Sequence, residues 1–353
     1  KGKIYKDSIL FMGFDYRYAG NSKYLFEQML EKYPNNKYYF VTDDKNIKNR
    51  IKPNSLKFYR YLARCKIIIL ESWIFKYLSK RNDQVWLQTW HATTVKKLLF
   101  DTSENLTMKK NPHQKILKYK EILNWNYLIV DSKTIVPYFE TAFMLKKDQI
   151  LPFGYPRVKY LLENKNNENK KNDIKLSFGL PLDKKIVLYA PTWRDYNVGV
   201  NDYSLNFSYL LDLEKLQDLL GEDYVVVFKD HNFKSKTDNL KGNYINGNNF
   251  ETQDIILASD YVISDYSSIV FDAMAIDIPI LIYANDIMEY EKCRGVYKDI
   301  FNDLLTYAVK DEEDLTKKIK SYKIDKKYET IKNKYCYQEN NDQLLNFLNE
   351  LLK

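Results

Sequence analysis

Cysteine is nearly absent from this chain of 353 residues. Only Cys65, Cys293 and Cys336 occur, far apart and with no Cys-x-x-Cys pair. That argues against a disulfide framework or a zinc cluster and suits a reducing compartment. Glycine is scarce as well, with 10 residues, and neither G-x-G-x-x-G nor G-x-x-x-x-G-K-[ST] is present. A phosphate site in this chain must therefore use helix N-termini and side chains instead of a glycine loop. No apolar run approaches the roughly 18–20 residues that a membrane span needs, and no signal peptide is visible. No D-x-D motif stands at an evident strand end, so no protein-bound metal is expected. The sequence opens at Lys1 and not at Met, so it reads as a piece of a longer protein whose targeting or membrane-binding segments could lie outside it.

What is present is enough for large cores: 45% hydrophobic residues, which excludes a wholly disordered chain. The length suits two domains at roughly 100–200 residues each. Lys and Arg number 55 against 47 Asp and Glu, a net charge of +8. A mild excess of this kind suits a phosphate-bearing partner or an anionic surface. The 31 tyrosines, beside many Lys, Asn and Ile, reflect base composition more than function.

Apolar runs alternate with helical patterns. Strands are expected at 8–14, 38–42, 66–70, 85–90 and 127–131, then at 185–190, 224–229, 261–264 and 279–283. Such alternation implies parallel sheets with helices on both faces. The stretch 163–173 (ENKNNENKKND) has no hydrophobic residue and reads as a linker. The expected organisation is an α/β domain at 1–162, the linker at 163–173, a second α/β domain at 174–320 and C-terminal helices at 321–353. Two doubly wound halves of this kind would face a cleft, with strand ends from both sides lining it.

Two of the three histidines follow apolar strands. His91 closes the run Val85-Trp86-Leu87-Gln88-Thr89-Trp90 and precedes Lys96 and Lys97. It suits a general base, because imidazole titrates near working pH; a structural histidine bonded to a loop carbonyl is an equal reading from spacing alone. His231 ends Val226-Val227-Phe228-Lys229-Asp230 and could hold a diphosphate or protonate a leaving group. His113 lies in a polar loop and receives no role. In Tyr261 to Ala275, a strand ends at Ser264-Asp265 and a helix starts near Ser267 and Ser268, whose hydroxyls and free amides would face an anion. Ordinary capping without a ligand explains the same pattern. After the strand at 185–190, Pro191 ends the pairing and Thr192 and Arg194 stand at the strand's carboxyl end, where Arg194 could fork onto phosphate or pair with Asp195. Residues 95–120 carry seven lysines against two acids, a solvated face or an electropositive surface for a polyanion or anionic lipid.

Together these stretches resemble the CDP-glycerol glycerophosphotransferase family of teichoic acid primases and polymerases and related capsule polymerases. The resemblance covers roughly residues 15–298. Gly20-Asn21-Ser22-Lys23-Tyr24-Leu25-Phe26 with Phe40-Val41-Thr42 looks like the opening block. Trp90-His91-Ala92-Thr93-Thr94-Val95-Lys96-Lys97 is similar to W-H-G-T-P-x-K-x, and Gly154-Tyr155-Pro156-Arg157 to a G-x-P-R step. Ala190-Pro191-Thr192-Trp193-Arg194-Asp195 matches A-P-T-W-R-D in full. Ser264-Asp265-Tyr266-Ser267-Ser268 with Phe271-Asp272 matches [ST]-D-Y-S-S-x-x-F-D, and Arg294-Gly295 with Tyr297 and Asp299 resembles a late R-G-x-Y block. Their joint order is more specific than any one of them.

The resemblance implies two Rossmann-like domains of the glycosyltransferase-B type. It implies a CDP-activated polyol phosphate donor, glycerol or ribitol, on the second domain, and a lipid-linked polyol-phosphate or glycan hydroxyl as acceptor. His91 would be the base and His231 would assist at the donor phosphates. Donor contacts would come from Thr192, Arg194, Ser264, Asp265, Ser267, Ser268 and Asp272, and acceptor-side contacts from Asn21, Ser22, Lys96 and Lys97. No cofactor is bound tightly, though a Mg2+ could ride on the donor diphosphate. The protein would work in the cytoplasm at the inner face of a bacterial membrane, with no nucleic acid partner. Two departures, Ala92 for glycine and Thr94 for proline, bear on the acceptor turn and on glycerol against ribitol. A nucleotide-sugar glycosyltransferase of the same fold and a non-catalytic polyanion-binding module are the alternatives.

Overall fold

The run Lys66-Ile67-Ile68-Ile69-Leu70 shows why this chain builds parallel sheet. Its β-branched residues have no polar face, and a strand buried on both sides needs none. In the computed structural model, which describes residues 2–74, 78–102, 113–192, 211–230 and 244–353, Ile67 to Ile69 are wholly buried. They lie in β4 (Cys65–Leu70), beside β1 (Tyr5–Met12).

Among the described residues, seven strands form the first sheet: β1, β2 (Lys37–Val41), β3 (Arg50–Ile51), β4, β5 (Val85–Gln88), β6 (Tyr127–Ile129) and β7 (Ile150–Leu151). Their order is β3-β2-β1-β4-β5-β6-β7 and every pairing is parallel. The second sheet has five: β8 (Lys185–Tyr189), β9 (Tyr224–Phe228), β10 (Ile245–Asn246), β11 (Tyr261–Ser264) and β12 (Ile280–Ile282). Its order is β10-β9-β8-β11-β12, again all parallel. In both sheets the winding reverses once, between β1 and β4 and between β8 and β11. Open α/β sheets bind ligands outside the carboxyl ends of the strands at such a reversal.

The expected strands all occur, within a few residues at their ends. The three that sequence reading missed, β3, β7 and β10, are two residues long and lie at sheet edges, too short to show a pattern.

The chain divides into two compact units. One comprises residues 1–93, 111–160 and 337–353, the other 94–110 and 161–336. This differs from the expected layout in three ways. The stretch 163–173 is not an unstructured linker, because the helix Glu168–Ser177 begins inside it. Asn167 caps that helix by accepting from Lys170 N–H at 3.0 Å, and Ile174, one residue past the polar run, supplies the buried contact. The terminal helices part company: Glu312–Ser321 and Lys326–Tyr335 belong to the second unit and Gln343–Leu352 to the first. Residues 94–97, with their two lysines, belong to the second unit.

The helix Gln343–Leu352 joins the first unit because its apolar face, Leu344, Leu345, Leu348 and Leu352, has β1, β4 and the helix Gly20–Lys32 to cover. Polar ties flank it: Lys32 to Asp342 at 2.5 Å and Tyr33 Oη to Asn346 Oδ1 at 2.6 Å. Among the described residues no helix is long and apolar enough to cross a membrane.

Candidate functional site

The loop after β5 holds each of its residues separately. Thr89 N–H donates to the Leu70 carbonyl at 2.6 Å. Trp90 takes a left-handed φ of 51° while its N–H donates to Gln88 Oε1 at 2.9 Å. The Trp90 carbonyl accepts from Asn21 Nδ2 at 2.9 Å. Tyr155 Oη donates to the Ala92 carbonyl at 2.9 Å. Thr93 Oγ1 donates to Asp131 Oδ2, whose other oxygen accepts from Tyr155 N–H at 3.2 Å. The backbone strain of this turn falls on Trp90. Ala92 is not in the left-handed region, so an alanine fits there without penalty.

His91 is the exposed residue of this loop. Its ring lies along Trp90, centroids 4.5 Å apart, and edge-on to Phe14 at 5.2 Å. Nδ1 is 3.2 Å from the main-chain oxygen of Glu71. A carbonyl can only accept, so Nδ1 carries the hydrogen and Nε2 of the neutral ring is the basic nitrogen. The carbonyl bond expected of a structural histidine is thus present, and it is also what a general base requires.

Asn21 and Ser22 do not face an acceptor. Both are wholly buried, because they start the helix Gly20–Lys32 and their N–H groups bond to the Glu71 carboxylate. The Gly154-Tyr155-Pro156-Arg157 step is scaffolding too. Gly154 turns at φ 78° under the ring of Tyr337, where a Cβ would lie 2.3 Å from it. Arg157, 4% exposed, lays its guanidinium 4.5 Å from the Tyr155 ring, and its backbone N–H donates to Asn21 Oδ1 at 3.4 Å. Glu71, Asp131 and Tyr155 carry this loop, and sequence reading gave none of them a role. The one available signal was an acid placed directly after the apolar run 67–70.

At the reversal of the second sheet, Ser264 Oγ donates to the Ala190 carbonyl at 2.5 Å. Asp265 Oδ1 accepts from the N–H of Thr192 at 2.8 Å and of Tyr266 at 2.6 Å. Ser264, Asp265 and Thr192 are buried, so they brace the ends of β8 and β11 against each other. Asp272 is also buried and accepts from Gln253 Nε2 at 3.3 Å, because the whole helix Ile269–Ala275 is packed inside. Of the described residues expected on the donor side, Ser267 and Ser268 are the half-buried ones. Ser267 Oγ accepts from Ile269 N–H at 3.4 Å, whereas Ser268, at the cap position, makes no capping bond with its side chain.

Lys96 and Lys97 are half-buried and stand in the second unit and not, as expected, in the unit of His91. Lys96 bridges to Val296, Lys97 N–H donates to the Gly295 carbonyl at 3.0 Å, and Tyr297 N–H donates to Val95 O at 2.9 Å. The Arg294-Gly295-x-Tyr297 block is the other half of this short ladder.

Arg194 and His231 lie outside the described residues. The approach to His231 is nonetheless pinned. Lys229 Nζ donates to the carbonyls of Phe250 at 2.7 Å and Gly247 at 3.2 Å, and Asp230 N–H to Asn248 Oδ1 at 2.7 Å. Burial pulls the Lys229 ammonium down to about 8. Among the described residues no group of three His, Cys, Asp or Glu side chains is placed to hold a metal ion.

Known proteins resemble this chain over most of its length. The chain is 32% identical over 329 residues to a teichoic acid poly(glycerol phosphate) polymerase of Staphylococcus epidermidis, covering 88% of this chain and 45% of that protein. It is 32% identical over 348 residues to the polymerase of the same description from Bacillus spizizenii, covering 96% of this chain and 87% of that one. The chain thus spans less than half of the first relative and most of the second. Among solved structures it resembles the wall teichoic acid polymerase TagF, including a histidine-to-asparagine variant with CDPG. Both match with a TM-score of 0.85 at 28% identity, over 99% of this chain and 89% of that one. Residues 2–348 match the family described as CDP-glycerol:poly(glycerophosphate) glycerophosphotransferase, and the chain belongs to that family.

Proposed function

We propose that this chain transfers a polyol phosphate from a CDP-activated donor to a hydroxyl of a lipid-linked, teichoic-acid-type acceptor and releases CMP. The observation that carries the proposal is His91: an exposed imidazole at a strand end, its Nδ1 committed to a carbonyl and its Nε2 basic. Nε2 takes the proton of the acceptor hydroxyl. That oxygen attacks the phosphorus bearing the polyol, a new P–O bond forms, and the bond to the CMP phosphate breaks. The charge released on CMP meets Ser267 and Ser268, with Arg194 and His231 assigned to the same task from the family motifs. Positioning and electrostatic stabilisation account for most of the rate in reactions of this class. A Mg2+ at this site would be held by the donor's own diphosphate.

In this reading the two units adopt the glycosyltransferase-B arrangement, with the donor on the second. The acceptor's lipid end meets a membrane surface. The helix Gln114–Ile122 suits that surface, since Ile116 is 55% exposed and Leu123, just past its end, 67%, beside the exposed Lys120. The decisive experiment is incubation with CDP-glycerol, CDP-ribitol, UDP-sugars and GDP-sugars plus a short synthetic acceptor, with products read by mass. Addition of polyol phosphate units with CMP release supports the proposal. Sugar transfer with UDP or GDP release, or polyanion binding without turnover, overturns it.

A further inference from the structure

The helix Gly20–Lys32 begins just after β1, at the reversal of the first sheet. In doubly wound folds this helix start commonly receives an anionic ligand. Here the chain fills it with its own carboxyl group. Asn21 N–H donates to Glu71 Oε1 at 2.9 Å and Ser22 N–H to Oε2 at 3.0 Å. Glu71 is 3% exposed, and Gly20 sits so close, at φ 64°, that a Cβ there would be 2.2 Å from Oε1. Burial pushes the carboxyl up to about 7, while the two N–H bonds and the charge of Arg157 pull the other way.

The same residue reaches His91 by two routes. Its main-chain oxygen lies 3.2 Å from Nδ1. Its carboxylate fixes the backbone of Asn21, whose side chain donates to the Trp90 carbonyl at 2.9 Å, one residue before His91. We propose that Glu71 is a positioning residue for transfer: it holds His91 in the tautomer with a basic Nε2 through its own carbonyl and through Asn21, and touches no substrate. The proposal rests on the reading of His91 as the base.

Glu71→Gln keeps the shape and turns one acceptor oxygen into an N–H2 group facing a backbone N–H. One bond is lost, and Asn21 shifts with the helix start. The test is made on the full chain. Nitrogen-15 NMR reads the tautomers of the histidines, of which there are only three, with His91→Ala identifying the signal. In the wild type, His91 shows a protonated Nδ1 and an unprotonated Nε2. In Glu71→Gln the tautomers become mixed and kcat falls at least tenfold, while KM for the CDP donor and the melting shift given by CDP stay within twofold. Glu71→Gln leaves the main-chain carbonyl in place and acts through Asn21; Asn21→Ala cuts that same route at its other end, gives the same direction and serves if Glu71→Gln does not fold. An unchanged His91 spectrum with unchanged kcat in the folded variant overturns the proposal. So does a fall confined to donor KM. Full turnover by His91→Ala overturns the base reading and this proposal with it, whereas an inactive His91→Ala beside a normal Glu71→Gln overturns the positioning role alone.

Discussion

Tyr266 lies flat on Tyr290, with ring centroids 3.7 Å apart and planes 13° from parallel. Its hydroxyl donates to Asp286 Oδ1 at 2.9 Å, and its backbone N–H is held by Asp265. Ser267 is the next residue, so this wholly buried ring sets where the serine proposed to meet the donor stands. Tyr266→Phe removes one hydrogen bond and should lower stability by about 1 kcal/mol. Tyr266→Ala should cost roughly 3–5 kcal/mol, as truncated buried aromatics do. Urea denaturation measures both.

The nucleotide site has its own readout. CMP or CDP should raise the melting temperature, since a ligand that binds only the folded state stabilises it by about 2.7 kcal/mol at a hundred times its Kd. Replacing Ser267 and Ser268 together by alanine should shrink that rise, while the free protein loses only the bond from Ile269 N–H to Ser267 Oγ, about 1 kcal/mol. No rise at millimolar nucleotide speaks against a donor site on the second unit.

His91→Ala should fold normally, because the ring is exposed and the loop keeps its other ties. Transfer should fall by about a hundredfold or more, the usual weight of a general base. Steady-state rates beside circular dichroism melting decide it, and near-normal turnover removes the base role.

Gly20→Ala should be among the costly small substitutions in the chain. The added Cβ meets Glu71 Oε1 at 2.2 Å in a left-handed backbone, where alanine is strained by about 1–3 kcal/mol. Both stability and turnover should drop, whereas Gly179→Ala, where φ is 67° but nothing lies within 4 Å of the added Cβ, should cost stability alone.

Glu121 gives a pH dependence with a definite sign. Burial raises it from 4.5 to about 7, against the pull of the Ile74 N–H bond and of Lys118. The folded state therefore binds its proton more tightly than the unfolded chain does. The resulting stabilisation is complete below about pH 4.5 and is lost as pH rises through about 7. Glu71 acts in the same sense. Glu121→Gln keeps the acceptor for Ile74 N–H and should flatten the fall of melting temperature between pH 5 and 7.5.

The sequence was legible where one residue's environment follows from its neighbours. The apolar runs at 66–70 and 224–228 could only be buried strand, and the ordered motifs marked both sheet reversals. What stayed hidden depends on partners distant in sequence. Asn21 and Asp272 look like polar groups waiting for a substrate, but their partners, Glu71 and Gln253, lie 50 and 19 residues away. Lys96 and Lys97 read as acceptor-side because they follow His91, yet their pairing is with residues 295 and 296. The helix Glu168–Ser177 was missed because its buried contact, Ile174, comes one residue after the polar run ends.

The helix Gln343–Leu352 completes the core of a unit whose seven strands, from Tyr5 to Leu151, are all made before the second unit's sheet. Until Leu348 emerges from the ribosome, the apolar faces of β1 and β4 lack their cover. The unit that carries His91 is thus translated on both sides of the second α/β unit, and its core closes only after that unit has been made.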